Sequence, residues 1–457
     1  MEKVSDNPLY SSKNINPARA AAVRILNKVE RSGSYIDKLV DFELRSQNLS
    51  PEDKGLLQEL VYGVTRWKAK LDWVLIGFFH GDFQKCFNYV KNAMRVALYQ
   101  VLFLDRIPAP AAIDESVEMV KKKQGRKTAG LVNGVLRNIS RNIDNIRYPK
   151  ENEDRAFYLS VMESHPKWMV ERWIERYGED ETVQLMKLNN QIPHYNIRVN
   201  ENKVSVSEIT ETLKGHEVNF EISKYLPNSI KINSRDIKIP NTELFKSGKI
   251  TVQDTSASLV CKLANPSKGA QVLDTCAAPG GKSLLLAEMV GDEGHVRATD
   301  KFEARIGMMN NSIERMGYKN ITTEISDIRK FNSEETYDLV IVDAPCSGLG
   351  TLSKKPDIKW TTEKEDLRRM KRLQIELLQE ASKFVKDGGV LVYSTCTIEP
   401  EENDMVIEKF LSNNSNFEID PAQNYLSEEL CDNNFLKTLP QKHGMDGAFG
   451  ARLIKKA

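Results

Sequence analysis

From residue 251 onward, apolar runs rich in β-branched residues alternate with stretches of helical periodicity, and this alternation limits the fold more than any other feature of the chain. The runs are QVLDTC, HVRATD, ITTEIS, YDLVIVDAP, GGVLVYSTC and AFGARLIKK. Strands separated by helices need crossover connections, and right-handed crossovers build a mostly parallel sheet with helices on both faces. A doubly wound α/β domain is expected over residues 251–457. Such a sheet takes its ligands beyond the carboxyl ends of its strands. Residues at those ends are therefore the first candidates for chemistry.

The chain ahead of this domain reads differently. Apolar residues recur every three or four positions in ARAAAVRILNKV, DKGLLQELVYGVTRW, VKNAMRVALYQVLFL and TAGLVNGVLRNIS, so residues 1–148 are expected to be all-α. Breaks fall at Gly33, at Ser50-Pro51 and at Pro108-Ala109-Pro110. After the polar linker IRYPKENED, residues 149–250 combine the aromatic-rich helix HPKWMVERWIERYG with short alternating runs (YNIRVN, VNFEIS, SIKIN) and a helix around VSVSEITETLKG. That mixture predicts a small α+β unit.

Charge is unevenly spread. Residues 1–150 hold 25 Lys and Arg against 16 Asp and Glu, a balance of +9, whereas the remainder stands at −8. A basic first third suggests an RNA-docking module ahead of a catalytic one, although an ordinary soluble domain can also carry +9. No stretch approaches the roughly 20 apolar residues of a membrane helix, and the polar start MEKVSDNPLYSSKN lacks the order of a secretion signal. A cytoplasmic protein with no membrane partner is expected. The six cysteines, at 86, 261, 276, 346, 396 and 431, form no CxxC pair and have no His at ligand spacing. Neither a metal site nor a disulfide framework is expected, which leaves reduced thiols available as nucleophiles.

The first strand of the α/β domain, QVLD, runs into Cys276-Ala277-Ala278-Pro279-Gly280-Gly281-Lys282 and then the helix SLLLAEMV. Small residues at a strand-to-helix turn let a ligand approach the backbone at a helix N-terminus. The spacing is neither GxGxxG nor GxxxxGK[ST], so a nucleotide-type ligand other than a dinucleotide or ATP is indicated. Later strands end in Asp300, Asp327 and Asp343, which line the same crevice, the acid after the second strand being well placed for ribose hydroxyls; any one of them could instead cap the next helix. Two cysteines also sit at strand ends, Cys346 in Asp-Ala-Pro-Cys-Ser-Gly and Cys396 in Ser-Thr-Cys. A lone Cys there is usually a small buried hydrophobe, but two at a ligand-binding edge suit covalent catalysis. Carbon 5 of cytosine is a poor nucleophile until a thiolate adds to carbon 6. An acid near N3, for which Asp343 is the candidate, would stabilise the charge that forms. Lys359, Trp360 and the charged run Lys364–Arg372 are candidates for RNA contact, the run being equally readable as a solvated helix face.

These motifs resemble the RNA 5-methylcytosine methyltransferases, and nearly the whole chain resembles their RsmB (Sun/Fmu) branch. Tyr62-Gly63-Val64-Thr65-Arg66, Leu98-Tyr99-Gln100 and Val132-Asn133-Gly134-Val135-Leu136-Arg137 are similar to a NusB-like RNA-binding domain. Ser164-His165-Pro166-Lys167-Trp168, Arg198-Val199-Asn200 and Val252-Gln253-Asp254 resemble the branch's linker region. The C-terminal motif reads Asp446-Gly447-Ala448-Phe449, where the branch usually has Asp-Gly-Phe-Phe. The resemblance implies a NusB-like domain over 1–148, a linker with a small α+β domain over 149–250, and a Rossmann-like class I methyltransferase over 251–457. It implies S-adenosylmethionine as cofactor, bound by Cys276 through Lys282 with Asp300, Asp327 and Asp343 holding its ribose, adenine and methionine ends. It further implies Cys396 as nucleophile, Cys346 as an aid to product release, and methylation of carbon 5 of the family's cytosine 967 in small-subunit rRNA by a monomer. Transfer RNA or large-subunit rRNA as substrate, and a non-catalytic RNA-binding assembly factor, are the alternatives.

Overall fold

The computed structural model describes residues 15–234 and 237–457. The polar segment read above for a leader lies outside the described residues. The chain divides into two compact units: one comprises residues up to Gln191 together with Leu352–Thr361, the other Ile192–Thr351 and Thr362–Ala457.

The first unit is helical. Its helices include Pro17–Ser32, Ile36–Ser46, Pro51–Arg66, Lys68–Phe78, Asn88–Phe103 and Ala109–Arg141. Their starts follow from sequence chemistry. The Asn16 side chain accepts the N–H groups of Ala18 and Arg19 (2.9 and 3.2 Å), and Ser50 Oγ accepts that of Asp53 (3.1 Å). Pro17 and Pro51 occupy first-turn positions where a missing N–H costs nothing. Leu57, Leu60, Val61, Leu71, Met94 and Ala97 fill the core. Three further helices, Arg155–Met162, Lys167–Tyr177 and Glu179–Asn189, bury Trp173, which meets the imidazole of buried His165 edge-on at 5.8 Å.

The segment Leu352–Thr361 packs within this helical unit, and it corrects one expectation. Lys359 does not face RNA: its side chain is buried, and Nζ donates to the Arg66 carbonyl (2.9 Å) and Asn190 Oδ1 (3.2 Å). Burial, with the Arg66 charge second, drives the amine well below its ordinary pKa. The Trp360 indole N–H is likewise committed, to the Thr65 carbonyl at 2.6 Å, and Asp357 Oδ2 accepts from the Ile36 N–H (3.4 Å). A lysine at an unpaired sequence position reads as solvent-facing; distant carbonyls that satisfy it are invisible to local pattern.

The second unit contains two sheets. The smaller is antiparallel, in the order β2-β3-β1-β4, from β1 (Tyr195–Val199), β2 (Phe220–Ile222), β3 (Ser229–Ile232) and β4 (Ile250–Val252). The larger sheet contains β5 (Gln271–Asp274), β6 (His295–Asp300), β7 (Ile321–Ile325), β8 (Tyr337–Asp343) and β9 (Val385–Thr395), paired in parallel in the order β9-β8-β5-β6-β7. The central strands β5, β8 and β9 carry Val, Ile or Leu buried on both faces, as a parallel sheet sandwiched between helices requires. The pattern foreshadowed these five strands.

β13 (Ala448–Lys455), read above as the run AFGARLIKK, lies antiparallel to β9, and an antiparallel extension beyond it went unread: β10 (Phe417–Ile419), β11 (Cys431–Asp432) and β12 (Phe435–Thr438). These added strands are two to four residues long, too short to show a period of two. Asp446-Gly447-Ala448-Phe449 enters β13, and Phe449, fully buried, meets Phe435 and Tyr393 at ring distances of 5.2 and 6.2 Å. Burying such a ring contributes about 2–3 kcal/mol.

Candidate active site

The parallel strands put their carboxyl ends on one edge of the sheet. β5 leads into the Cys276–Lys282 loop and the helix Gly281–Val290. The Ala277 N–H donates to the Thr299 carbonyl (3.0 Å) and the Gly280 N–H to that of Ala277 (2.8 Å), folding the loop tightly against β6. Gly280 has φ +103°, and a Cβ there would lie 2.8 Å from Met309 Cγ. Only glycine meets both demands.

Asp343, the last residue of β8, aligns with Ser394 of β9. Its Oδ1 accepts from Ser394 Oγ (2.8 Å), and its Oδ2 from Lys282 Nζ (2.7 Å). Burial opposes the Lys282 charge, but the adjacent Asp343 carboxylate outweighs it and raises the lysine's pKa, so the pair is ionic. Asp300 ends β6 and accepts the Phe302 N–H at 2.9 Å. Asp327 lies two residues beyond β7, where it takes the capping role: its Oδ1 receives the Arg329 N–H (3.1 Å) and its carboxylate forks with the Arg329 guanidinium (2.9 and 2.6 Å). The Arg329 bonds hold the Asp327 carboxyl down to about 2.

The two strand-end thiols come together. Cys346 and Cys396 sulfurs are 3.4 Å apart, Cys396 exposed and Cys346 partly so. The hydrogen bond to the Cys396 sulfur, then burial, then the Cys396 and Glu402 charges push the Cys346 thiol well up. The loops that carry the two thiols are tied by the Gly350 N–H to the Cys396 carbonyl (3.0 Å) and the Gly447 N–H to the Gly350 carbonyl (2.8 Å). A Cβ at Gly350 would fall 2.0 Å from Gly447 O, so these backbones touch.

Several polar residues of this edge escape sequence reading. Asp274, the last residue of β5, is fully buried; Ser283 Oγ donates to its Oδ2 (2.6 Å), while its Oδ1 is buried without a partner. Burial pushes its carboxyl up to about 7. Behind the loop, fully buried Arg198 of β1 donates to Gln253 Oε1 (2.7 Å) and pairs with Glu288 of the helix Gly281–Val290. Gln253 Nε2 is buried and unpartnered, 3.5 Å from where a Cβ of Gly281 would lie. The rule that strands end in acids would have flagged Asp274. Nothing local marks Arg198 or Gln253.

The edge thus offers a glycine cradle at a helix N-terminus, acids at the ends of β5, β6 and β8, unsatisfied buried polar atoms beside the cradle, and a thiol pair. That set suits a ligand bearing hydroxyls and positive charge next to an electrophilic carbon. Among the described residues no group of His, Cys, Asp or Glu is arranged to hold a metal ion, and no helix is long and apolar enough to cross a membrane.

Comparison with known proteins gives the same answer from outside. The sequence profile of the 16S rRNA methyltransferase RsmB/F matches residues 261–454, that of the NusB family residues 16–141, and that of the RsmF/B-like ferredoxin-like domain residues 165–238. The "Probable ribosomal RNA small subunit methyltransferase B" of Bacillus subtilis is 34% identical over 96% of this chain and 98% of its own length. The ribosomal RNA small subunit methyltransferase B of Yersinia pestis bv. Antiqua is 31% identical over 97% of this chain and 100% of its own. The crystal structure of PH0851 superposes with a TM-score of 0.81 at 25% identity, covering 99% of this chain and 100% of that one. The helical first domain, the ferredoxin-like segment and the class I α/β domain all have counterparts, and the chain belongs to the RsmB/F family of 16S rRNA methyltransferases.

Proposed function

We propose that this chain methylates carbon 5 of a cytosine in small-subunit rRNA, at the family's cytosine 967, through a covalent adduct between Cys396 and carbon 6. As a member of its family it is an S-adenosylmethionine-dependent RNA methyltransferase. The observation that carries the finer reading is the thiol pair, 3.4 Å apart at the ends of β8 and β9, next to the Lys282–Asp343 ion pair. Methylation of an exocyclic amine needs no such thiol.

The residues fit the cofactor. Cys276, Ala277, Ala278, Pro279, Gly280, Gly281 and Lys282 would cradle it, the ribose hydroxyls on Asp300, the adenine end toward Asp327 and the methionine end toward Asp343. When bound, S-adenosylmethionine supplies a methyl group on a sulfonium. The buried unpartnered Asp274 Oδ1 and Gln253 Nε2 supply further polar contacts at the cradle.

The chemistry of this chain's residues then balances. Cys396 as thiolate forms a bond to carbon 6, and the carbon 5–carbon 6 π pair moves to carbon 5, which takes the methyl group. Asp343, as the carboxylate paired with Lys282, stabilises the pyrimidine once N3 has taken up a proton from solvent to offset the charge that the thiolate brings. Loss of the carbon 5 proton to a base restores the double bond and expels Cys396, with Cys346 assisting release. The target must leave its stack to reach this edge, so a single-stranded or loop cytosine is the substrate. In this reading residues 1–148 dock RNA, 149–250 link, and 251–457 carry the chemistry, as a cytoplasmic monomer.

The test is covalent trapping. RNA containing 5-fluorocytosine, S-adenosylmethionine and protein are run on a denaturing gel; fluorine does not leave as a proton, so the adduct persists. Wild type is expected to shift and Cys396→Ala not. A shift in both variants would transfer the nucleophile to another thiol; no shift with small-subunit rRNA would remove the proposal.

A further inference from the structure

Cys346 lies between two residues that are each gripped from the same side. Gln374, on the helix Lys364–Ser382, donates through Nε2 to the Pro345 carbonyl (3.0 Å) and to Glu402 Oε2 (3.0 Å). The same Glu402 Oε2 accepts the Ser347 N–H (2.8 Å), and Glu402 Oε1 takes the Ser347 hydroxyl. Ser347 Oγ also meets Thr397 Oγ1 at 2.9 Å, one residue beyond Cys396. Glu402 and Gln374 are wholly buried. The Glu402 main chain is anchored too, its carbonyl accepting from Tyr393 Oη at 2.6 Å.

A wholly buried carboxylate is costly unless hydrogen bonds satisfy it. Glu402 receives three donors, two N–H groups on Oε2 and the Ser347 hydroxyl on Oε1, a pattern that favours the anion. Burial raises its carboxyl and these bonds oppose that. The mechanism above uses neither residue. A packing role alone would be met by an apolar side chain of the same volume, often with no loss of stability.

We propose that Glu402 and Gln374 form a clamp that positions Cys346, fixing it beside Cys396 as the hydrogen-bond donor of the thiol pair. Gln374 holds the residue before Cys346, Glu402 the residue after it, and the Glu402 charge keeps a proton on the Cys346 sulfur. The groups that face Cys346 are Cys396, Glu402 and Tyr393, and Glu399 faces Glu402. Glu402 acts through Ser347 and Cys346 and touches no reacting atom, so it is a positioning residue. Its consequence for catalysis rests on the reading of Cys346 as the release thiol; the clamp itself does not.

The experiment measures Cys346 directly. In full-length Cys396→Ser protein, iodoacetamide labelling of Cys346 is followed across pH by peptide mass spectrometry, with and without Glu402→Gln. The midpoint is expected to fall by about one pH unit or more when the charge is removed, and to return with Glu402→Asp, which restores charge at the expense of packing. An unmoved midpoint in Glu402→Gln would overturn the proposal. Gln374→Met, which keeps the Glu402 charge but frees Pro345, should raise the labelling rate severalfold without moving the midpoint; an unchanged rate would equally overturn it. If the midpoint moves while the RNA adduct of Glu402→Gln protein decays as in wild type, the clamp stands and the release role of Cys346 falls.

Discussion

Along β5, β6 and β7 the strand-end acids are occupied by the protein itself: Asp274 by Ser283, Asp300 by the Phe302 N–H, Asp327 by Arg329. At β8 and β9 the groups to which we assign the chemistry face one another, Lys282 against Asp343 and Cys346 against Cys396. The first half is prepared as a set of fixed acceptors whose orientation is settled before a ligand arrives. The second is a set of paired groups whose proton positions depend on each other. Binding can be built from parts satisfied singly, whereas proton and methyl transfer need parts coupled in twos.

The largest effect expected from breaking that contrast is Lys282→Met, which removes one partner of the ion pair on the coupled side. Methyl transfer should fall about 10²–10³-fold, with a folding cost of about 1 kcal/mol, since the stranded Asp343 carboxylate is one-third exposed and keeps its bond from Ser394. Single-turnover kinetics and denaturant unfolding would separate the two; a loss confined to stability would remove Lys282 from the chemistry. On the fixed side, Asp274→Asn should act through pH. A carboxyl at about 7 in the folded protein and about 4 when unfolded favours folding below pH 4, and that contribution is lost as pH rises to 7. Asn mimics the protonated acid, so the variant should gain on wild type between pH 4 and 7, by about 4 kcal/mol at most. Thermal unfolding across that range checks the slope, and a parallel pair of curves would mean Asp274 stays ionised. The smallest effect belongs to Asp327→Asn. Its carboxyl, held at about 2 by Arg329, stabilises above pH 4 and loses that as pH falls through 2. The deficit at pH 7 should be under about 1 kcal/mol and vanish in acid; a deficit that persists there would point to the lost cap rather than the charge.

The fixed side was also the more legible in sequence. A strand, a small-residue turn and a helix are contiguous from Gln271 to Val290, so the cradle announces itself within twenty residues. The thiols were legible as well, because each sits at a strand end within a short motif. Their support was not: Ser347 and Glu402 are 55 residues apart, and Gln374 meets Pro345 across 29. Glu402 stands in Glu-Pro-Glu-Glu, which reads as a solvated acidic turn. Lys359 failed in the same way and for the same reason, since a buried charge is recognisable only together with the groups that satisfy it. What is contiguous can be read; what is satisfied at long range must be seen.

The excursion of Leu352–Thr361 into the helical unit bears on how this enzyme can be divided. The polypeptide passes from one unit to the other after Gln191, after Thr351 and after Thr361, so no single cut yields two intact pieces. A catalytic fragment begun at residue 192 would retain those ten residues but not their hosts. The Trp360 N–H would lose the Thr65 carbonyl, and Lys359, its acceptors gone, would regain water about a dozen residues from Cys346. The helical part is in this sense host to the catalytic sequence: it lodges a stretch of chain that the thiol-bearing loop must hand over before the sheet can resume.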